Sequence, residues 1–231
     1  MRAKKSCFCF AREYGTITPI HAGAVRLPVF VSLAGVVAAM RVIAGRARGR
    51  PLKAVPGEST RPTTDKVKEA LFSMIGPFFD GERVLDLFAG TGGLGIEALS
   101  RGAGSAIFVD ANPRSIEVVR RNLEAAGMSR QAEVFRNDAA RAVKVLGRKG
   151  VSFDLIFLDP PYAMENGDRL LTEIAERGLA AEGAVAVLEH ASSRSYPERF
   201  HRYERFKYAV YGEAALSVYR YAQFNEGESG E

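Results

Sequence analysis

Cysteine is almost missing from this chain, and that excludes two whole classes of protein. The 231 residues contain two, Cys7 and Cys9, both among the first ten. Beyond them neither a disulfide framework nor a cysteine zinc site can form. A single Cys-x-Cys is too small a donor set to predict a metal, and none is expected. Long hydrophobic runs are missing too. The apolar stretch "LPVFVSLAGVVAAM", residues 27–40, falls short of the roughly 18 residues that a membrane span needs. It has the look of a signal-peptide core, but Pro28 and the long mixed lead-in argue against export. No membrane role is expected.

The body also lacks a large charge of one sign. The chain as a whole carries +5, with 32 basic and 27 acidic residues. Residues 1–39 hold five of the basic residues (Arg2, Lys4, Lys5, Arg12, Arg26) and one acid, Glu13, which leaves 27 against 26 for residues 40–231. Any nucleic-acid contact must therefore come from local charge. Residues 41–53, "RVIAGRARGRPLK", provide it, with Arg41, Arg46, Arg48, Arg50 and Lys53 and no acid. With Arg61, which precedes Pro62, these are the candidate phosphate contacts, and binding through them would be salt-sensitive. The bland alternative is a solvated face. The tail, residues 224–231, ends in "NEGESGE" and is expected to be acidic and disordered.

What is present is a core and a rhythm. Apolar residues make up 47% of the chain, enough for a globular domain. Residues 41–54 read as a short β-hairpin or basic arm, with Gly45 and Gly49 as turn candidates. Thr64 or Asp65 can cap a helix whose apolar face is Val67, Leu71, Met74 and Ile75. Then "RVLDLF", "SAIFVD", "AEVFRND", "FDLIFLD" and "GAVAVLEH" read as strands, separated by helical segments. Asn112 with Pro113, and Asp138, stand at helix starts. The end, from about residue 199, is strand-rich with a turn near Gly212. Alternating strands and helices imply a parallel α/β sheet with right-handed crossovers. Ligands in such folds bind beyond the C-terminal ends of the strands. That puts Asp86, Asp110, Asp138 and Asp159 along one rim.

"LDLFAGTGGLGIEA" carries Gly90, Gly92 and Gly95 between a strand and a helix. Glycines at that spacing suit a tight turn and a close ligand approach. Alone, the loop also fits a nicotinamide or flavin site. Asp110, twenty residues after Gly90, suits a carboxylate that accepts the hydroxyls of an adenosyl ribose. The fourth strand decides between cofactors. "FDLIFLDPPYA" ends in Asp159, Pro160, Pro161 and Tyr162, which a dehydrogenase does not need. A methyltransferase acting on an exocyclic amine does. Asp159 and the Pro160 carbonyl can each accept one N–H of the amine, Pro161 fixes the chain, and Tyr162 offers a face on which an extruded base stacks. The contribution would be positioning and electrostatics.

The ordered set "RPTTDKVKEALF", "LDLFAGTGGLGIEAL", "FVD", "ND" and "FLDPPY" resembles the RsmD family from Met40 to about Tyr221. These are bacterial methyltransferases of the 2-amino group of a guanine in small-subunit (16S) ribosomal RNA. Relatives commonly begin near "MRVIAGRARGRPL", so residues 1–39 are expected to be an extension outside the family pattern or a start-site error. The resemblance implies a Rossmann-like, seven-stranded class I fold dependent on S-adenosylmethionine, spanning residues 64–223. An N-terminal basic arm would occupy residues 40–63. Its last strand, "YGEAALSVYRY", would run antiparallel. Asp86, Gly90 and Gly92 would border the methionine part of the cofactor and Asp110 its ribose, with Asp138 near the adenine amino group and Asn137 beside it. The arm would grip phosphates of RNA presented within an assembling or assembled 30S particle. A cytoplasmic monomer is expected.

Other functions stay open at this point. An amino-methyltransferase of DNA, or of adenine or cytosine in RNA, shares the last motif. A non-catalytic ribosome assembly factor could keep the fold. A nicotinamide oxidoreductase is the remotest.

Overall fold

The computed structural model describes residues 40–56, 65–161 and 166–222. The expectations for residues 1–39, Arg61, Thr64, Tyr162 and the acidic tail lie outside these. The strands are β1 Arg83–Asp86, β2 Ser105–Asp110, β3 Ala132–Arg136, β4 Phe153–Leu158, β5 Ala180–Ala191, β6 Arg199–Phe200, β7 Tyr203–Tyr211 and β8 Ala214–Tyr221. The helices are α1 Asp65–Ile75, α2 Gly93–Ser100, α3 Pro113–Ala126, α4 Ala139–Gly147 and α5 Gly167–Glu176.

One sheet runs in the order β3-β2-β1-β4-β5-β8-β7-β6. Strands β1 to β5 pair in parallel, and β8 runs antiparallel to both β5 and β7. The expected antiparallel last strand is therefore β8, inserted between β5 and β7. The expected strand count of seven becomes eight. Phe200 and Arg199 fold back on Tyr203 and Glu204 through a tight turn at His201, whose φ is 51°. Two residues are too few to leave a period-two signal in the sequence.

The central strands β1, β4 and the second half of β5 are buried on both faces, which is why their sequences read as nearly continuous apolar runs. Alternate residues then serve opposite cores. Leu85, Leu87, Ile156, Leu158, Ala186 and Leu188 pack with α4 and α5. Val84, Leu155, Phe157 and Val187 pack with α1, α2, α3 and the arm. Each fully buried side chain of this size stabilises the fold by about 1.5–3 kcal/mol.

Local signals place the helices. The Asn112 side chain accepts the Arg114 N–H, with Pro113 at the first helical position. Asp138 caps α4 by accepting the Arg141 N–H. Helix α1 packs through the expected apolar face, Val67, Leu71, Met74 and Ile75, and extends it. Lys68, Leu71 and Phe72 are its buried residues, while Val67, Met74 and Ile75 are only partly covered. The buried face also takes in Lys68, which finds a buried carboxylate, Glu97, on α2.

The basic arm does form a small hairpin. Arg41 and Pro51 bridge, the Val42 N–H donates to Arg50 O at 2.9 Å, and Leu52 N–H donates to Met40 O at 2.7 Å. Val42, Ala47 and Leu52 are buried in the same core as α1, α2 and α3. The hairpin is thus part of the domain's core, and its charged side chains face outward.

Candidate active site

The rim is built from strand ends. Asp86 is the last residue of β1, Asp110 the last of β2, and Asp159 follows β4. Register keeps them together. Asp86 pairs with Phe108 and Phe157, the Leu87 N–H donates to Phe157 O at 3.1 Å, and the Ala89 N–H donates to Val109 O at 3.0 Å. The loop after β1 is thereby held between β2 and β4.

Gly92, with φ of 78°, ends that loop in a conformation L side chains rarely adopt. Gly95 serves a different need. A Cβ there would stand 2.3 Å from the Phe108 ring, so α2 lies on β2 only because that side chain is missing. This is the close helix–strand packing that the third glycine of such a loop permits.

Two carboxylates hold the loop in place. Asp110 accepts the Gly90 N–H at 2.8 Å with one oxygen and the Asn112 N–H at 2.8 Å with the other. Each oxygen keeps a second lone pair, so both bonds leave room for ribose hydroxyls. Asp86 is buried and accepts the Gly95 N–H at 3.1 Å. Desolvation raises its carboxyl to about 7, and the negative charges of Asp159 and Asp110 push it the same way against the Gly95 hydrogen bond. Desolvation raises Asp159 as well, to about 6. Asp159 is nonetheless open to solvent on one side, which favours its ionised form near neutral pH.

The third strand end contributes Asn137 and Asp138. The Asn137 N–H donates to Asp110 O at 3.1 Å, and Asn137 Oδ1 accepts the Asp138 N–H at 2.9 Å. Asp138 spends one oxygen capping α4, at 3.1 Å from the Arg141 N–H, and its side chain is exposed. All four expected acids stand along the C-terminal edge of the sheet. Pro160 is buried and Pro161 exposed.

The charges acting on Asp86 from Asp159 and Asp110 are all negative. A ligand that carries positive charge relieves that field, and one with vicinal hydroxyls satisfies Asp110. S-adenosylmethionine, with its sulfonium, ammonium and ribose, fits both demands. Among the described residues no cluster of His, Cys, Asp and Glu is arranged to hold a metal.

The five described arm residues, Arg41, Arg46, Arg48, Arg50 and Lys53, are exposed on the hairpin. Among the described residues two have side-chain partners. Arg41 pairs with Asp65 at 2.8 Å, and Arg46 donates to Gln131.

Sequence reasoning missed the residues that mount the arm. The buried Glu97 accepts backbone N–H groups from Ile43 and Ala44, and pairs with Lys68 and Arg101. The i, i+4 spacing of Glu97 and Arg101 was a visible pair signal, but burial was not. Asn122, also buried, accepts the Lys53 N–H at 2.8 Å and donates to Lys53 O at 3.1 Å and to Thr91 O at 2.9 Å. It ties the arm to the glycine loop, and no local pattern marks it.

Comparison with known proteins places these residues in context. The profile of the family described as Conserved hypothetical protein 95 matches residues 40–220. The "Putative rRNA methyltransferase YlbH" of Bacillus subtilis is 48% identical over 181 residues, which cover 78% of this chain and 98% of the relative. The "Ribosomal RNA small subunit methyltransferase D" of Haemophilus influenzae is 34% identical over 151 residues, 65% of this chain and 78% of the relative. Among solved structures, the "Putative methyltransferase yhhF from Escherichia coli" superposes with a TM-score of 0.71 at 28% identity, covering 80% of this chain and 98% of that one.

Proposed function

The chain belongs to the family described as Conserved hypothetical protein 95, the RsmD family of the sequence motifs, and we propose that it methylates the exocyclic 2-amino group of a guanine. It is an S-adenosylmethionine-dependent rRNA methyltransferase. The substrate is small-subunit rRNA, met as an assembling or assembled 30S particle by a cytoplasmic monomer. The observation that carries this reading is the convergence of Asp86, Asp110 and Asp159 at neighbouring strand ends, with the glycine loop hydrogen-bonded to two of them.

The cofactor supplies an electrophilic methyl group. Asp110 takes its ribose, while Asp86, Gly90 and Gly92 border its methionine part. Asn137 and Asp138 stand at its adenine. Asp159 and the Pro160 carbonyl accept the two N–H bonds of the target amine, and Pro161 and Tyr162 shape the place of the base. Holding both hydrogens turns the nitrogen lone pair toward the methyl group. Transfer would break the sulfonium S–CH3 bond as the C–N bond forms, and the nitrogen would shed a proton for which the hydrogen-bonded Asp159 carboxylate is the acceptor at hand. The arm residues Arg41, Arg46, Arg48, Arg50 and Lys53, with Arg61, meet phosphates.

The test is transfer of label from S-adenosylmethionine to unmodified small subunits, naked RNA or duplex DNA. Label is expected on small-subunit rRNA. Label on DNA alone would replace the RNA reading, and cofactor binding with no transfer to any substrate would leave an assembly factor.

A further inference from the structure

The cofactor acids occupy the ends of β1, β2 and β3, and Asp159 stands at the end of β4. The rim continues past them. Register carries the level of Leu158 through Leu188 on β5 and Ser217 on β8 to Tyr208 on β7. Paired residues share a face of a sheet, and strands lie about 4.8 Å apart, so Tyr208 stands roughly 14 Å from the strand that delivers Asp159. That is the span of a few nucleotides.

The surroundings of Tyr208 suit a flat anionic polymer. The residue is 48% exposed, and Val210, two positions on, is 52% exposed. The Arg205 guanidinium lies 5.0 Å from the Tyr208 ring centroid, and the His190 ring lies 6.3 Å away at 26°. His190 is buried, with Nδ1 donating to Ala191 O and Nε2 accepting from Ser217 Oγ, each at 2.9 Å. Burial lowers its pKa against the pull of the Ala191 hydrogen bond, and the positive charges of Arg205 and Arg194 lower it further. The Arg205 guanidinium therefore stands against the Tyr208 ring. Arg205 is held by Tyr196 O and Glu198, each at 3.2 Å, and Glu198 offsets part of its charge. Tyr208 is thus braced by a cation and a neutral imidazole while much of its surface stays open.

We propose that Tyr208 is a stacking platform for an unpaired nucleotide of the substrate RNA beside the target base, with the Arg205 guanidinium bracing its ring. The inference rests on the RNA methyltransferase reading. Every base presents a π-face, so an exposed ring backed by a cation binds single-stranded nucleotides without needing their sequence. The arm is mounted on α2 and α3 beside β1 and β2, so the Tyr208 patch gives the near-neutral domain a second RNA contact across the target. The competing occupant is a protein strand. Beyond Glu204 the outer edge of β7 has no strand partner among the described residues, and a second copy could pair there. The position at the strand-end rim and the guanidinium against an exposed ring favour RNA.

The experiment uses the full chain, labelled S-adenosylmethionine and unmodified small subunits. Tyr208→Ala should raise KM for the subunits about tenfold, with a much smaller change in kcat and the same affinity for S-adenosylmethionine. Tyr208→Phe should restore KM because it keeps the ring, and Tyr208→Leu should not. Phe78→Ala removes an exposed aromatic ahead of β1, at the opposite end of the sheet, and should leave KM alone. If the wild-type chain methylates subunits and Tyr208→Ala keeps its KM, the platform does not exist. If instead Tyr208→Ala dissociates a dimer in sedimentation while KM holds, the patch is a protein interface and the proposal is overturned. A wild-type chain that labels no RNA overturns the function itself, and this inference with it.

Discussion

The buried carboxylate of Glu97 accepts the Ile43 N–H at 2.8 Å, across fifty-four residues of sequence. Its other oxygen accepts the Ala44 N–H at 2.9 Å and pairs with Arg101 at 2.8 Å. Lys68 Nζ stands 3.7 Å from the same carboxylate and donates to Arg41 O at 2.5 Å. Helix α2 therefore starts at the glycine loop and, one turn on, grips the backbone of the basic arm. The glycine loop proposed to meet the cofactor and the arm proposed to meet RNA are thus joined by one helix.

Glu97→Gln should be strongly destabilising. It strips the counter-charge from Lys68 and Arg101 while leaving both buried. Breaking such a group typically costs about 3–5 kcal/mol. Chemical denaturation measures the loss, and a change below about 1 kcal/mol would mean that water or another group compensates the cations.

Asp159→Ala should abolish methyl transfer while S-adenosylmethionine still binds. Asp159 lies beyond the loop that Asp110 and Asp86 hold, so its loss leaves that loop intact. Calorimetry and the label assay separate the two effects. Turnover above a small fraction of wild type would show that the amine is held by another group.

Asp110→Ala should act on the cofactor instead. It removes the acceptor for the Gly90 and Asn112 N–H groups as well as the proposed ribose partner. Hydrogen bonds to a charged group contribute about 1.5–3 kcal/mol each, so the affinity for S-adenosylmethionine should fall at least about tenfold. Unchanged affinity in calorimetry would remove the ribose assignment.

The pH dependence should centre on Asp86. Its carboxyl titrates at about 7 in the folded chain against 3.8 ordinarily. Between those values the folded state holds a proton that the unfolded state has lost, so this group makes stability fall as pH rises. The wild-type chain without cofactor should be less stable at pH 8 than at pH 6, and Asp86→Asn should flatten that slope. A cationic cofactor prefers the ionised carboxylate, so its affinity should rise across the same interval. Matching slopes in wild type and Asp86→Asn would show that Asp86 is not the titrating group.

Much of the domain is legible because its signals are local. Asn112 followed by Pro113 starts α3, Asp138 starts α4, and Gly212 turns β7 into β8. Each works within a few residues through backbone geometry and a single hydrogen bond. The apolar runs of β1, β4 and β5 mark buried parallel strands, and the chain order places Asp86, Asp110 and Asp159 at one edge. The amino-methyltransferase chemistry follows from those residue types in that order.

Other features depend on residues far apart in the sequence. Lys68 lies in a helix pattern that predicts a solvated side chain, yet it is buried because Glu97 arrives from α2. Asn122 meets Lys53 across sixty-nine residues, and Tyr208 comes level with the end of β4 because β8 slides between β5 and β7. Local propensity carries no information about such meetings. They arise when the sheet closes, and burial then makes each unpaired polar group costly enough to select one partner. The sequence by itself determined the element order, the acidic rim and the type of reaction. Tertiary packing decided how the arm is mounted on the glycine loop's helix and which aromatic ring of β7 is left exposed near the strand-end rim.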